Sequence, residues 1–420
     1  MIWNRRRSRR GRKCFLLKSP LWLRVVIAGW LSFSAVFGFY LTNSAFLQHP
    51  DTVSYRGHVK LKLPDTFAFQ QSEKPQSGIA TRRNLIIIAH GRSGSSLTGD
   101  IFNHHPDVFY LYEPLQTVER TRKNFKLDYN SLVQKFLTNI LHCDFSEPIF
   151  LADIDRYYRR PLHPRISQAI ASPPLCPYNM SDPRWDFKLC PKMTRETLGN
   201  ACKNEYKLTV IKILMKRLVD KSLEKTLSAC DSQDINCKIV LLIRDPRAVI
   251  PSSLSVNFYK EEGGTAKLGT RMFSYKLCKE TEESLHFLKN LPAWIRRQVQ
   301  VLRYEDLAMN PLEEMRHLYK FAGLSVLKRI TTWLNESTHP TKNRSNMKIK
   351  GSPAAFTVDD AQAAINRWRW KVHPYEISII EHYCKHVMQL MGYRPVDTSH
   401  ELQANISIPL VNDDYEAKNW

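Results

Sequence analysis

The stretch NLIIIAHGRSGSSLTGDIFNHH (84–105) decides how this chain is read. NLIIIAH (84–90) is apolar without alternation, the pattern of a strand buried on both faces in a parallel sheet. GRSGSS (91–96) follows at once, and LTGDIFNHH (97–105) reads as a helix. A small-residue loop between a strand and a helix start is an anion cradle. The first N–H groups of a helix have no partner within it, and the helix dipole adds partial positive charge there. Gly91, Ser93, Gly94, Ser95 and Ser96 allow an anion to approach the backbone, while Arg92 and the hydroxyls add donors. By itself the loop also fits an ordinary Gly/Ser turn. A Walker A loop needs GxxxxGK[ST]; the missing lysine disfavours magnesium-dependent nucleotide hydrolysis and a P-loop kinase.

Outward from this stretch, VFYLY (108–112), LTVIKIL (208–214), KIVLLI (238–243) and VQVLRY (299–304) are further strand candidates. Helical patterns stand at 218–230, 311–322, 358–370 and 374–392, and 335–360 reads as loop. Strands alternating with helices predict an α/β fold with a central, mostly parallel sheet flanked by helices. A second strand–loop–helix, KIVLLIRDPRAVIPSSLS (238–255), places Arg244 and Arg247 around Asp245-Pro246, with Pro246 suited to a first helical turn. Arginine grips phosphate with forked hydrogen bonds, and Ser252 lies about two helical turns beyond Arg244. Closing a surface turn would explain the same residues.

Composition adds a compartment. The 420 residues carry a formal charge of +22. Nine Lys/Arg and no acid fall in residues 1–48. After them, residues 25–47 run without a charge, long enough at 1.5 Å per residue to cross a ~30 Å hydrocarbon core. The run exceeds the apolar core of a cleaved signal peptide. With the basic cluster on its N-terminal side, the positive-inside rule predicts a cytosolic tail (1–24), a transmembrane signal anchor (25–47) and a luminal remainder. Residues 48–81 read as a stem. Eight of the nine cysteines follow the anchor, an even number that favours disulfides. Sequons stand at Asn179, Asn335, Asn343 and Asn405. A luminal setting argues against nucleic acid as the polyanionic partner; a homodimer is left open.

The two loops together resemble the 5′-phosphosulfate and 3′-phosphate loops of sulfotransferases that use 3′-phosphoadenylyl sulfate. More narrowly, the chain is similar to the Golgi Gal/GalNAc/GlcNAc 6-O-sulfotransferases. The resemblance rests on RSGSS with FNHHPDVFYLYEPLQTV (92–118), RDPRAV (244–249), RYEDLAMNPLEEMRHLYKFAGL (303–324), and INRWRW (365–370) with CKHVMQLMGYRPV (384–396). The nearest likeness is to keratan-sulfate galactose 6-O-sulfotransferases, through a tail similar to NISIPLVNDDYEAKNW (405–420). The chain departs from the family pattern at His90-Gly91, at Leu97 and at Ser253, which bears on acceptor specificity.

The resemblance implies a P-loop-like sulfotransferase domain over 82–396, a C-terminal tail (397–420) and a single-pass Golgi membrane protein acting on glycans of glycoproteins or proteoglycans. The alternatives are a GlcNAc or GalNAc 6-O-sulfotransferase and a non-catalytic luminal glycan-binding protein on the same fold. Arg92 would stabilise the leaving phosphate. Ser93, Gly94, Ser95, Ser96, Leu97 and Thr98 would hold the 5′-phosphosulfate, and Arg244, Asp245, Pro246, Arg247, Ala248, Val249, Ile250, Pro251 and Ser252 the 3′-phosphate. No metal is expected. Glu113, directly after VFYLY, is the candidate general base for the acceptor hydroxyl, with His104 and His105 as runners-up. His382 and His386 flank Cys384 without a third ligand and are not read as a metal site. Lys212 and Arg303 follow or end strand patterns and would face the anionic ligands; neither is read as catalytic.

Overall fold

The computed structural model describes residues 82–160, 166–230, 235–256, 269–338 and 361–420. The expected anchor and stem, the sequon at Asn343 and most of the 335–360 loop lie outside the described residues. No helix among those described is long and apolar enough to cross a membrane.

Five strands form one sheet: β1 (Arg82–Ala89), β2 (Val108–Tyr112), β3 (Leu208–Leu214), β4 (Ile235–Ile243) and β5 (Val299–Arg303). Their order is β2-β3-β1-β4-β5 and every pairing is parallel. β1 is central, which explains its unbroken apolar run: Leu85 to Ala89 are at most 1% exposed. The sequence-expected strands are all present, differing only by a few residues at their ends.

The helices around the site are α1 (Ser95–Asn103), α2 (Leu115–Thr121), α3 (Pro148–Tyr158), α4 (Pro246–Ser255), α5 (Thr270–Lys289), α6 (Tyr304–Met309), α7 (Pro311–Ala322), α8 (Ala361–Asn366) and α9 (Pro374–Leu390). Two helical expectations are broken up. Over 218–230 the helix is only Leu223–Ser228, because Asp220 and Lys221 take positive φ (48° and 56°). Over 358–370 the described part divides into α8 and a short turn, Trp368–Lys371.

Disulfides join Cys143–Cys202, Cys176–Cys190, Cys230–Cys237 and Cys278–Cys384. The last pins α5 to α9 and takes Cys384 out of reach of any metal. The segment after 396 folds back onto the domain. Val411 bridges Tyr393, and Arg303, 1% exposed, donates to the carbonyls of Met391 and Asn412.

In a parallel sheet all strands end at one edge, so the loops that follow them share one crevice. Here β1 delivers 91–94, β2 Glu113, β3 Arg217, β4 Arg244 and β5 Glu305. The register that pairs Ala89 with Leu242 sets the β1 and β4 loops side by side.

Candidate active site

The β1 loop is tightly wound. Arg92 and Gly94 both take positive φ (71° and 85°), and Gly94 occupies the N-cap of α1 with no side-chain cap. The opening N–H groups of α1 thus face the crevice uncapped, as an anion site requires. Ser93, Ser95 and Thr98 are buried, whereas Ser96 and Leu97 are partly exposed. His90, where the family resemblance leads one to expect a small hydroxyl residue, is buried, and its Nε2 lies 3.0 Å from Thr281 Oγ1 on α5. Burial lowers its pKa to about 4, so it stays neutral and adds no charge to the cradle.

The β4 loop meets this cradle directly. Arg92 donates from Nε to Ser252 Oγ at 3.0 Å, and Arg244 donates to the Arg92 carbonyl at 3.1 Å and to that of Ala364 at 2.6 Å. The Arg244 guanidinium lies over the Tyr304 ring at 4.3 Å, and its Nε is buried without a hydrogen-bond partner. Burial and the neighbouring Arg244 both lower the Arg92 pKa. Two guanidiniums in mutual repulsion beside an uncapped helix start suit a polyanion.

Not every residue of the second loop turns toward the crevice. Arg247 is wholly buried, paired with Asp245 (2.8 Å) and Glu381 (2.8 Å) and donating to the Arg394 carbonyl. Asp245 caps α4 through the Arg247 N–H, and Pro246, Ala248, Val249 and Ile250 pack inward. Arg244, Pro251 and Ser252 remain partly exposed. The other side chains from 245 to 250 hold the loop in place; their ion pairs and packing leave none of them facing the crevice.

Glu113 follows β2 with φ 46°, and its N–H donates to the Lys212 carbonyl at 2.7 Å. Its carboxylate is 4% exposed and held by three donors: Lys212 Nζ at 2.5 Å on Oε1, and Arg217 Nη1 and Gln116 Nε2 (2.7 Å) on Oε2. Burial would raise its pKa, but Lys212 and Arg217 overcome that and hold it at about 2. Lys212 Nζ also sits over the Tyr112 ring at 4.3 Å. Gln116 is fixed in turn by Tyr157 and by Arg120, which pairs with Asp153.

The runner-up bases are at the wrong end of α1. His104 stacks on Trp333 (3.8 Å between centroids), and His105 Nε2 lies 3.1 Å from the Ser325 carbonyl. α1 is nine residues long, so they stand about 13 Å from the cradle. His386 lies 2.8 Å from Glu282, and His382 packs on Tyr383. Arg303 serves the C-terminal segment. Asn179, Asn335 and Asn405 are exposed.

Reading the sequence did not single out Arg217, Gln116, Tyr304 or Glu305. Arg217 lies past the end of β3 in no motif, so nothing local marks it. Tyr304 and Glu305 stand in the third block of resemblance without an assigned role. Glu305 is buried, accepting from the Asp245 N–H (3.2 Å) and Tyr393 hydroxyl (2.8 Å). Burial, with nearby Asp245, raises its pKa to about 7.

The sulfotransferase domain family matches residues 82–392. Carbohydrate sulfotransferase 1 of Danio rerio is 26% identical over 361 residues, 79% of this chain and 82% of that one. Carbohydrate sulfotransferase 4 of Mus musculus is 28% identical over 355 residues, 79% of this chain and 87% of that one. Among solved structures, the sulfotransferase domain from the curacin biosynthetic pathway is 16% identical with a TM-score of 0.41, covering 73% of this chain and 97% of that one. The chain belongs to the sulfotransferase domain family and is a sulfotransferase.

Proposed function

We propose that this enzyme transfers the sulfonate group of 3′-phosphoadenylyl sulfate to the 6-hydroxyl of a glycan sugar, with galactose in keratan-type chains as the acceptor and the Golgi lumen as the setting. The observation that carries the donor reading is the convergence of the uncapped α1 start, Arg92, Ser252 and Arg244, whose buried Nε has no partner. The names of the relatives support a carbohydrate acceptor.

In this reading Ser93–Thr98 and Arg92 hold the 5′-phosphosulfate, Arg92 facing the phosphate that leaves. Arg244 and Ser252 hold the 3′-phosphate. Glu113 receives the acceptor proton as the new S–O bond forms on O6 and the bond from sulfur to the bridging oxygen breaks, leaving adenosine 3′,5′-bisphosphate. A carboxylate held at about 2 is a weak base while both cations clasp it. Lys212 can move from Oε1 toward the sulfuryl oxygens as charge gathers there, which stabilises that charge and strengthens the base in one displacement. Positioning and electrostatics then supply most of the acceleration.

Residues 49–420, incubated with labelled donor and desulfated keratan, chondroitin and N-acetylglucosamine-terminated glycans, test the proposal. Label at galactose O6 is the expected result. Label confined to N-acetylglucosamine or N-acetylgalactosamine would reassign the acceptor, and no transfer to any glycan would overturn the carbohydrate reading.

A further inference from the structure

Glu113 is held by more than its catalytic partner Lys212. Arg217 Nη1 and Gln116 Nε2 both occupy Oε2, the second oxygen of the carboxylate. Arg217 is itself shared. Its Nε is ion-paired with Glu119 Oε2 at 3.0 Å. Glu119 sits on α2, the helix that begins just beyond Glu113, and is 42% exposed, whereas Arg217 is 8% exposed. The Tyr129 hydroxyl donates to the Arg217 carbonyl at 3.2 Å, so any shift is confined to the side chain. A small rotation of the guanidinium about that pair would release Oε2 while Arg217 stays neutralised by Glu119.

We propose that Arg217 is a positioning residue that keeps Glu113 clasped until an acceptor arrives, with Glu119 as the second anchor that holds it once it lets go. The inference rests on the reading of Glu113 as the base. It gives the site a way to avoid wasting donor: with the acceptor absent, both carboxylate oxygens are occupied and water meets no free base. When the acceptor hydroxyl presses on Oε2, its proton takes the place that Arg217 vacates.

The other charged or titratable groups around Glu113 include Lys212 on β3, Lys216 beside Arg217, Asp100 on α1, and Tyr110, Tyr112, Tyr157 and Tyr158. Burial lowers the pKa of Lys212 and of Lys216 and raises that of Tyr110, Tyr112 and Tyr158. An acidic limb in the rate that moves with Arg217 and persists in E119Q belongs to Glu113.

The test measures kcat/KM for the acceptor, which reports the clasped free enzyme, against pH for wild type, R217K and R217M, with calorimetric binding of adenosine 3′,5′-bisphosphate and donor hydrolysis without acceptor. Wild type should be flat down to the acid limit of folding. The limb should enter the accessible range in R217K, whose ammonium reaches one carboxylate at a time, and move higher in R217M. It should persist in R217M/E119Q. Bisphosphate affinity should stay within about twofold, and acceptor-free hydrolysis should rise severalfold. Superimposable kcat/KM profiles, or a pH-independent loss of kcat/KM, would overturn the proposal. If R217M fails to bind the bisphosphate, R217K against wild type decides alone, an unmoved limb again counting against it. Glu113→Gln, run alongside, separates the two failures. Near-wild-type kcat there removes the base itself and this proposal with it. An inactive Glu113→Gln with unmoved Arg217 variants overturns only the role of Arg217.

Discussion

Tyr304 closes against Gly94 so tightly that a Cβ at position 94 would lie 2.1 Å from the Tyr304 Cδ2 atom. The contact welds the end of β5 to the turn that opens α1, and the same tyrosine supports Arg244 from below. The β1 loop is therefore shaped from behind by a residue about two hundred positions away.

Gly94→Ala should fail on two counts, a φ of 85° that L-residues disfavour and a steric overlap. Together these cost about 2–5 kcal/mol. Binding of adenosine 3′,5′-bisphosphate should be lost. The double variant Gly94→Ala/Tyr304→Ala removes the overlap and should regain part of the stability; a double variant no more stable than the single one would refute the packing argument.

Arg244→Ala should weaken bisphosphate binding by about 1.5–3 kcal/mol, the worth of a charge-assisted hydrogen bond. Calorimetry on wild type and variant checks it, and equal affinities would remove Arg244 from the donor site.

Glu113→Gln should lower kcat by roughly two orders of magnitude or more. It also leaves Lys212 and Arg217 buried without their counter-charge, so thermal stability should fall by about 3 kcal/mol. Bisphosphate binding should survive. A folded variant with near-wild-type kcat would shift the search for the base elsewhere.

Glu305 sets a pH dependence of stability. Its folded pKa, about 7, lies above the ordinary carboxyl value of 4.5, so the folded state binds the proton more tightly. The resulting stability is present below about pH 4.5 and is lost as pH rises through 7, on the order of 3 kcal/mol in all. Glu305→Gln stays neutral and should lose less stability between pH 5 and pH 8 than wild type. Parallel melting curves for the two proteins across that range would contradict the assignment.

Periodicity and loop chemistry were enough to read the strands, their parallel arrangement and the two loops that meet at the sheet's edge. A doubly buried strand must be apolar throughout, and a helix that starts on an anion needs small residues and glycine before it. Both demands are local and leave a local mark. Glu113 was legible for the same reason, as the first residue beyond a strand. Tertiary structure alone decided which charges meet. Arg247 stands in the second loop beside Arg244, yet Asp245 and Glu381 claim it for the interior; spacing cannot distinguish two arginines three residues apart when one partner is 134 positions away. Arg217 and Lys212 reach Glu113 across 104 and 99 residues. The protonation of Glu113 and of Glu305 was equally hidden, because a carboxyl pKa is set by burial and by the charges brought beside it. A linear sequence specifies neither until the sheet has brought its strand ends to one edge.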